Sequence, residues 1–106
     1  MVDSQRKLQI GEELAHLAAE FLESESNRQS MITITRADVA PNLSNAVIYF
    51  TVFPEAQEEY ALDFAKRKRT EFRSYVKANM PIRRLPFFDF KIDDGEKNRQ
   101  LLDTLS

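Results

Sequence analysis

Ala46-Val47-Ile48-Tyr49-Phe50-Thr51-Val52-Phe53-Pro54 decides how this chain folds. Residues 46–53 are apolar at almost every position and rich in β-branched and aromatic side chains. Such a run fits a strand that lies inside its sheet and is covered on at least one face. Pro54 ends it, because proline has no amide to donate to a ladder. Just upstream, Pro41-Asn42-Leu43-Ser44-Asn45 carries turn chemistry. Before the turn, Ile32-Thr33-Ile34-Thr35 alternates apolar with polar, the pattern of a half-buried strand. So short a connection predicts that the two strands form an antiparallel hairpin.

Helices flank the hairpin. From about Arg6 to Glu23, Ile10, Leu14, Leu17, Ala18, Phe21 and Leu22 recur at helical spacing with the glutamates largely opposite, which predicts an amphipathic helix. The polar segment Ser24–Ser30 ends it. Glu55 to about Met80 reads as helix-rich, with acids in the first turn as the helix dipole prefers, and Pro81 stops it. Phe88, Phe90 and Ile92 alternate with Asp89 and Lys91, so Phe87–Ile92 reads as a strand with one apolar face. Asp94-Gly95-Glu96 leads into a short last helix expected to bury Leu101, Leu102 and Leu105. The order is α-β-β-α-(α)-β-α, an α+β layer fold with helices on one face of a three-stranded sheet, read as one domain over residues 1–106.

The long helical segment contains a conflict. At 100° per residue, Ala61, Phe64, Ala65, Phe72, Tyr75 and Val76 fall on one stripe, and Lys68 falls in the middle of it. A straight helix would aim an ammonium at the core, where an unpaired charge is very costly. Either Lys68 snorkels outward along its stem, or the helix breaks near residues 67–70; the break is the favoured reading.

Charge is segregated along the chain. The net charge is −2, yet Leu62–Arg84 holds eight basic residues against two acids, whereas residues 1–61 hold four against ten. Binding responds to the local field, so an acidic average does not exclude a nucleic-acid partner. On a helical wheel Lys66, Arg69, Arg73 and Lys77 form a ridge beside the apolar stripe, with almost no interleaved acid. Four like charges on one ridge repel one another, and a polyanion relieves that repulsion. The candidate RNA-binding set is therefore Lys66, Arg67, Lys68, Arg69, Arg73 and Lys77, extended past Pro81 by Arg83 and Arg84. Pairing of either of those last two with Asp89 or Asp93 is the alternative.

Other chemistries have little to build on. The chain of 106 residues, 42% hydrophobic and 30% charged, reads as globular, and it has no cysteine for disulfide or thiolate chemistry. No apolar run approaches the ~20 residues a membrane span needs. The N-terminus lacks the basic-then-apolar pattern of a signal peptide, so a cytoplasmic location is expected. His16 is the only histidine and sits on the polar side of its helix, so neither a triad nor a histidine metal site is expected. Asp93-Asp94 fits helix capping better than a cation site. No Gly-rich loop follows a strand, so nucleotide hydrolysis has no motif. The expectation is a non-enzyme without cofactor, metal or small-molecule substrate. Phe87 projects opposite Phe88 and could stack on a base, although partial burial under a neighbouring element is the simpler reading.

Two strings carry a family likeness. Ile32-Thr33-Ile34-Thr35-Arg36-Ala37-Asp38-Val39-Ala40-Pro41-Asn42-Leu43-Ser44-Asn45-Ala46 resembles the signature of the ribosome-binding factor A family. There a Thr-Val-Thr-like strand runs into Val-x-x-Ser-Pro-Asp-Leu and then Ala-x-Val-Tyr. Ala40, Asn42 and Val47 depart from the usual serine, aspartate and frequent lysine. Ile82-Arg83-Arg84-Leu85-Pro86-Phe87-Phe88-Asp89-Phe90-Lys91-Ile92-Asp93-Asp94 is similar to the family's Arg-x-x-x-Pro-x-Leu-x-Phe-x-x-Asp segment. The resemblance covers roughly Arg6 to Leu105. It implies a type II KH-like fold and binding to free small ribosomal subunits (30S), or their precursors, near the 5′-terminal helix region of 16S ribosomal RNA. It also implies a role in late maturation and 16S processing; nothing in the sequence demands more than a monomer. The family usually carries Ala-x-Gly at the kink between its central helices, where Lys68-Arg69-Thr70 stands here, so distortion is expected from Lys68 rather than from glycine. General KH domains clamp RNA with a Gly-x-x-Gly loop; the only glycines are Gly11 and Gly95, so contact should fall to basic side chains. A generic KH-like RNA-binding module and a basic-patch protein–protein adaptor are the competing readings.

Overall fold

The helix, hairpin, helix pair and third strand follow one another as their apolar spacing requires. The computed structural model describes residues 4–25 and 30–105, with side chains over 6–25 and 30–102. Its elements are α1 (Ser4–Glu25), β1 (Met31–Val39), β2 (Asn45–Phe53), α2 (Glu58–Arg67), α3 (Arg69–Asn79), β3 (Phe87–Ile92) and α4 (Asp94–Leu105), with a 3₁₀ turn at Glu55–Gln57. β1 and β2 form the expected antiparallel hairpin, and β2 is central in the order β1-β2-β3. β3 runs parallel to β2, with Ala46 beside Phe88 and Ile48 beside Phe90. A parallel neighbour needs a long crossover, and α2 and α3 supply it.

β1 is longer than its alternating tetrapeptide suggests, because a bulge resets its phase. Ile34 pairs with Phe50 and Arg36 with Tyr49, which leaves Thr35 unpaired. The extra residue turns Ala37 and Val39 onto the face already occupied by Ile32 and Ile34, and all four pack with the core. α1 lies over β1 and against α3, while α2 lies over β3. Gly11 makes the first of these contacts possible, since a Cβ there would stand 2.8 Å from the Ala37 carbonyl oxygen.

Phe72 is at the centre of the core. Its ring centroid lies 5.5 Å from Phe21, 5.1 Å from Phe88 and 5.6 Å from Phe90, so one side chain joins α1, α3 and β3. Leu14, Leu22, Ile48, Phe50 and Val76 close around it, each 2% exposed or less. Burying an aromatic or branched side chain of this kind contributes about 1.5–3 kcal/mol.

α4 does not behave as its leucines suggest. Leu101 and Leu102 are 47% and 67% exposed, against the expectation that they bury, and the Leu105 side chain lies outside the described residues. Polar contacts at the start of the helix explain this. Asp93 caps it by accepting the Glu96 amide at 3.1 Å, and Lys97 reaches Glu55 at 2.8 Å and Glu58 at 3.0 Å. These ties hold the first turns and leave the later ones off the core. Capping is thus the role of Asp93, as expected, with Asp94 in the first turn. No helix among the described residues is long and apolar enough to cross a membrane.

Candidate nucleic-acid interface

The helical segment breaks at the residue that made a straight helix costly. Lys68 has φ −92° and ψ 7°, outside the α-helical range, and separates α2 from α3. Its amide is shared between the Phe64 and Ala65 carbonyls at 3.2 and 3.1 Å, and its carbonyl accepts the Phe72 amide at 2.9 Å to restart the helix. No glycine is needed, because this conformation lies at negative φ. The side chain leaves the apolar stripe, passes 5.9 Å from the Phe64 ring centre and pairs with Glu25 at 3.4 Å.

That turn takes Lys68 away from the other cations, toward the end of α1. The remaining seven predicted residues follow one continuous track. Lys66, Arg67 and Arg69 line an open recess with Tyr60 and Asp63. Arg69 and Arg73 border a smaller recess with Thr70, Phe87 and Phe88. Arg73, Lys77, Arg83 and Arg84 line an open groove of about 510 Å³. α3 therefore presents its basic ridge toward the loop that carries Arg83 and Arg84. The structure brings together residues separated by the Pro81 turn.

Internal ties shape this surface without cancelling it. Asp89, on β3, lies 3.9 Å from the Lys66 ammonium and 3.5 Å from the Arg69 guanidinium. The sequence reading missed this counter-ion, since Asp89 is remote in the chain and only the β3 edge brings it under α3. These pairs are partly exposed, with side chains 28–42% accessible. Exposed pairs of this kind are worth only about 0–1 kcal/mol, so a phosphate can share or displace the carboxylate. Arg73 donates to the Pro86 carbonyl at 2.8 Å, which sets its guanidinium against the loop and leaves its other N–H groups available. Among the described residues, Arg67, Lys77, Arg83 and Arg84 have no carboxylate within salt-bridge distance, so neither Arg83 nor Arg84 pairs with Asp89 or Asp93.

Phe87 corrects a second expectation. It is 60% exposed, more open than the partial burial expected, and the Arg69 guanidinium carbon lies 5.6 Å from its ring centre. Its position follows from Phe88 pointing into the core, because neighbouring strand residues face opposite ways. His16 is on the surface as expected, 3.0 Å from Glu20. Among the described residues no three His, Asp or Glu side chains cluster as metal ligands would.

Comparison with known proteins gives this geometry a context. A family model described as ribosome-binding factor A matches residues 6–106. The chain is 32% identical over 108 residues to the ribosome-binding factor A of Saccharopolyspora erythraea, covering 99% of this chain and 65% of that protein's length. Its fold is similar to the crystal structure of ribosome-binding factor A from Thermus thermophilus, with a TM-score of 0.73 and 22% identity over 81% of this chain and 93% of that one. It is also similar to coordinates of the Thermus thermophilus factor as fitted into a cryo-EM map of a 30S complex. There the TM-score is 0.67 and identity 22%, over 76% and 88% of the two chains. The structural likeness is one of fold: a three-stranded sheet with helices, the α+β, KH-like arrangement expected from the sequence.

Proposed function

The chain belongs to the ribosome-binding factor A family, and from that premise we propose that it binds free small ribosomal subunits, or their precursors, through RNA phosphates. The track from Lys66 to Arg84 is the contact surface, and it docks near the 5′-terminal helix region of 16S ribosomal RNA. The protein acts in the cytoplasm as a monomer and is not an enzyme. It stabilises one arrangement of the RNA during late maturation and 16S processing, without a cofactor. The single observation that carries this reading is the continuous surface of seven cations, contributed by α2, α3 and the following loop. Among the described residues, Asp89 is the one carboxylate paired to it. The Thermus thermophilus relative fitted into a 30S complex supports the choice of partner. A-form RNA hides its base edges in a deep, narrow groove, so a surface of this kind reads shape and phosphate spacing.

Co-sedimentation tests it. The chain should travel with free small subunits more than with 70S particles. Five phosphate contacts would give log affinity against log salt a slope of about −3.5 to −4.5. Lys77→Glu combined with Arg84→Glu reverses two exposed charges that pair with no carboxylate among the described residues, so it should remove association while the circular dichroism spectrum is kept. A flat salt dependence, or binding that survives the double reversal and nuclease treatment alike, would show that the basic track does not hold RNA.

A further inference from the structure

The recess between α3 and the start of β3 has a composition that phosphate binding does not explain. Its floor is Phe87, a large apolar ring 60% exposed, at the point where the loop enters the sheet. Arg69 sets its guanidinium 5.6 Å from that ring centre, while Asp89, two residues on, holds the same guanidinium at 3.5 Å. Arg73 lines the same recess, fixed by the Pro86 carbonyl at 2.8 Å. On the sheet, the register partner of Phe87 is Asn45, also exposed, whose amide nitrogen donates to the Ser44 hydroxyl at 3.0 Å. Leaving most of a phenylalanine in water beside an arginine gains little in the free protein: the larger part of its surface stays hydrated, and the guanidinium–ring contact at an exposed site is weak.

We propose that Phe87 is a stacking platform for one unpaired nucleotide of the bound RNA. The base lies on the ring, the Arg69 guanidinium plane closes over it or beside it, and Arg73 holds the adjoining phosphate. Asn45 is placed to meet a base edge. Aromatic rings and arginine planes stack on any base face, whereas carboxamides recognise edges. The site thus adds to the phosphate track a requirement for a base that is out of the helix: a bulge, a loop or a strand end. The inference rests on the RNA-binding reading above and deepens it by specifying what kind of RNA the surface prefers.

The chain has no tryptophan, so Phe87→Trp introduces a single indole at the platform. The probes are a short blunt-ended RNA hairpin closed by a non-nucleotide linker and carrying one bulged adenosine, the same hairpin fully paired, and the same hairpin with an abasic residue at the bulge. Wild type and Phe87→Trp should favour the bulged hairpin over both others, and only the bulged hairpin should quench the indole strongly. Phe87→Ala should reduce that preference toward unity, a loss of roughly 5- to 150-fold for one stacked base. Equal affinity of wild type for all three RNAs overturns the platform while leaving the phosphate track standing. Failure to bind any of them overturns both. A Phe87→Ala protein that keeps its preference for the bulge but loses small subunits would mean that the ring meets ribosomal protein, which also overturns the proposal.

Discussion

At Asp93 a single carboxylate gathers three donors from two parts of the chain. The Thr35 hydroxyl, at the bulge of β1, lies 2.5 Å from Oδ2, Arg36 Nη1 lies 3.0 Å from the same oxygen, and the Glu96 amide lies 3.1 Å from Oδ1. The Arg36 guanidinium carbon in turn lies over the Tyr49 ring, 4.0 Å from its centre. Burial pushes the Asp93 carboxyl up, but the Thr35 hydroxyl, the Glu96 amide and the charges of Arg36 and Arg99 outweigh it and hold the group below its ordinary value of 3.8. A carboxylate depressed by folding contributes stability that is present above its unfolded value and lost as pH falls through the folded one. Asp93→Asn keeps an acceptor for the cap and removes the charge, so it should cost about 1–2 kcal/mol at neutral pH. Arg36 is half exposed, which keeps the figure at that level. In urea unfolding the difference from wild type should shrink as pH drops below about 3.8. A difference that is constant down to pH ~2 would remove the ion pair from the explanation.

Among the elements, two joints decide the geometry, and each turns on one residue. Where α1 crosses β1, Gly11 lets the helix approach the strand backbone. A methyl group there would meet the Ala37 carbonyl oxygen at 2.8 Å, and that oxygen belongs to a paired strand that cannot easily give. Gly11→Ala should therefore destabilise by about 1–3 kcal/mol, despite the better helix propensity of alanine. Gly95, in the first turn of α4, is the control. A methyl group there meets nothing closer than Asp93 Oδ1 at 3.6 Å, so Gly95→Ala should stabilise by about 0.5–1 kcal/mol. Thermal unfolding of the two variants checks the pair, and shifts of the same sign would contradict the packing account. The second joint is Lys68, where the break between α2 and α3 settles a clash already legible in the sequence. A lysine at the centre of an apolar stripe is a local inconsistency, and the chain resolves it by ending one helix and pairing the freed ammonium with Glu25.

Across the whole molecule, a slab of 43 × 29 × 17 Å, charge is distributed between opposite edges of the sheet. α1, which carries five glutamates, lies over β1, while Lys66 and Arg69 sit against Asp89 on β3, the other edge strand. Such a dipole orients a polyanion toward one side during approach. It also implies linkage: an RNA hairpin that binds only the folded protein should stabilise it by roughly 2.7 kcal/mol at a hundred times Kd, raising Tm by about 10 °C or more. The same RNA should not shift the Lys77→Glu, Arg84→Glu protein, and an equal shift in both would place the contact elsewhere. The sequence alone determined the element order, the hairpin and the inward faces of α1, β2 and β3, and it favoured a break near residues 67–70, because these follow from periodicity and from the cost of burying a charge. It also marked the basic residues of the track. Only the tertiary structure decided that Lys68 leaves that track, that Asp89 enters it, that Phe87 stays in solvent, and that Leu101 and Leu102 are not covered. Each of these depends on which distant segment arrives alongside, and side-chain spacing within one segment carries no record of its neighbours across the sheet.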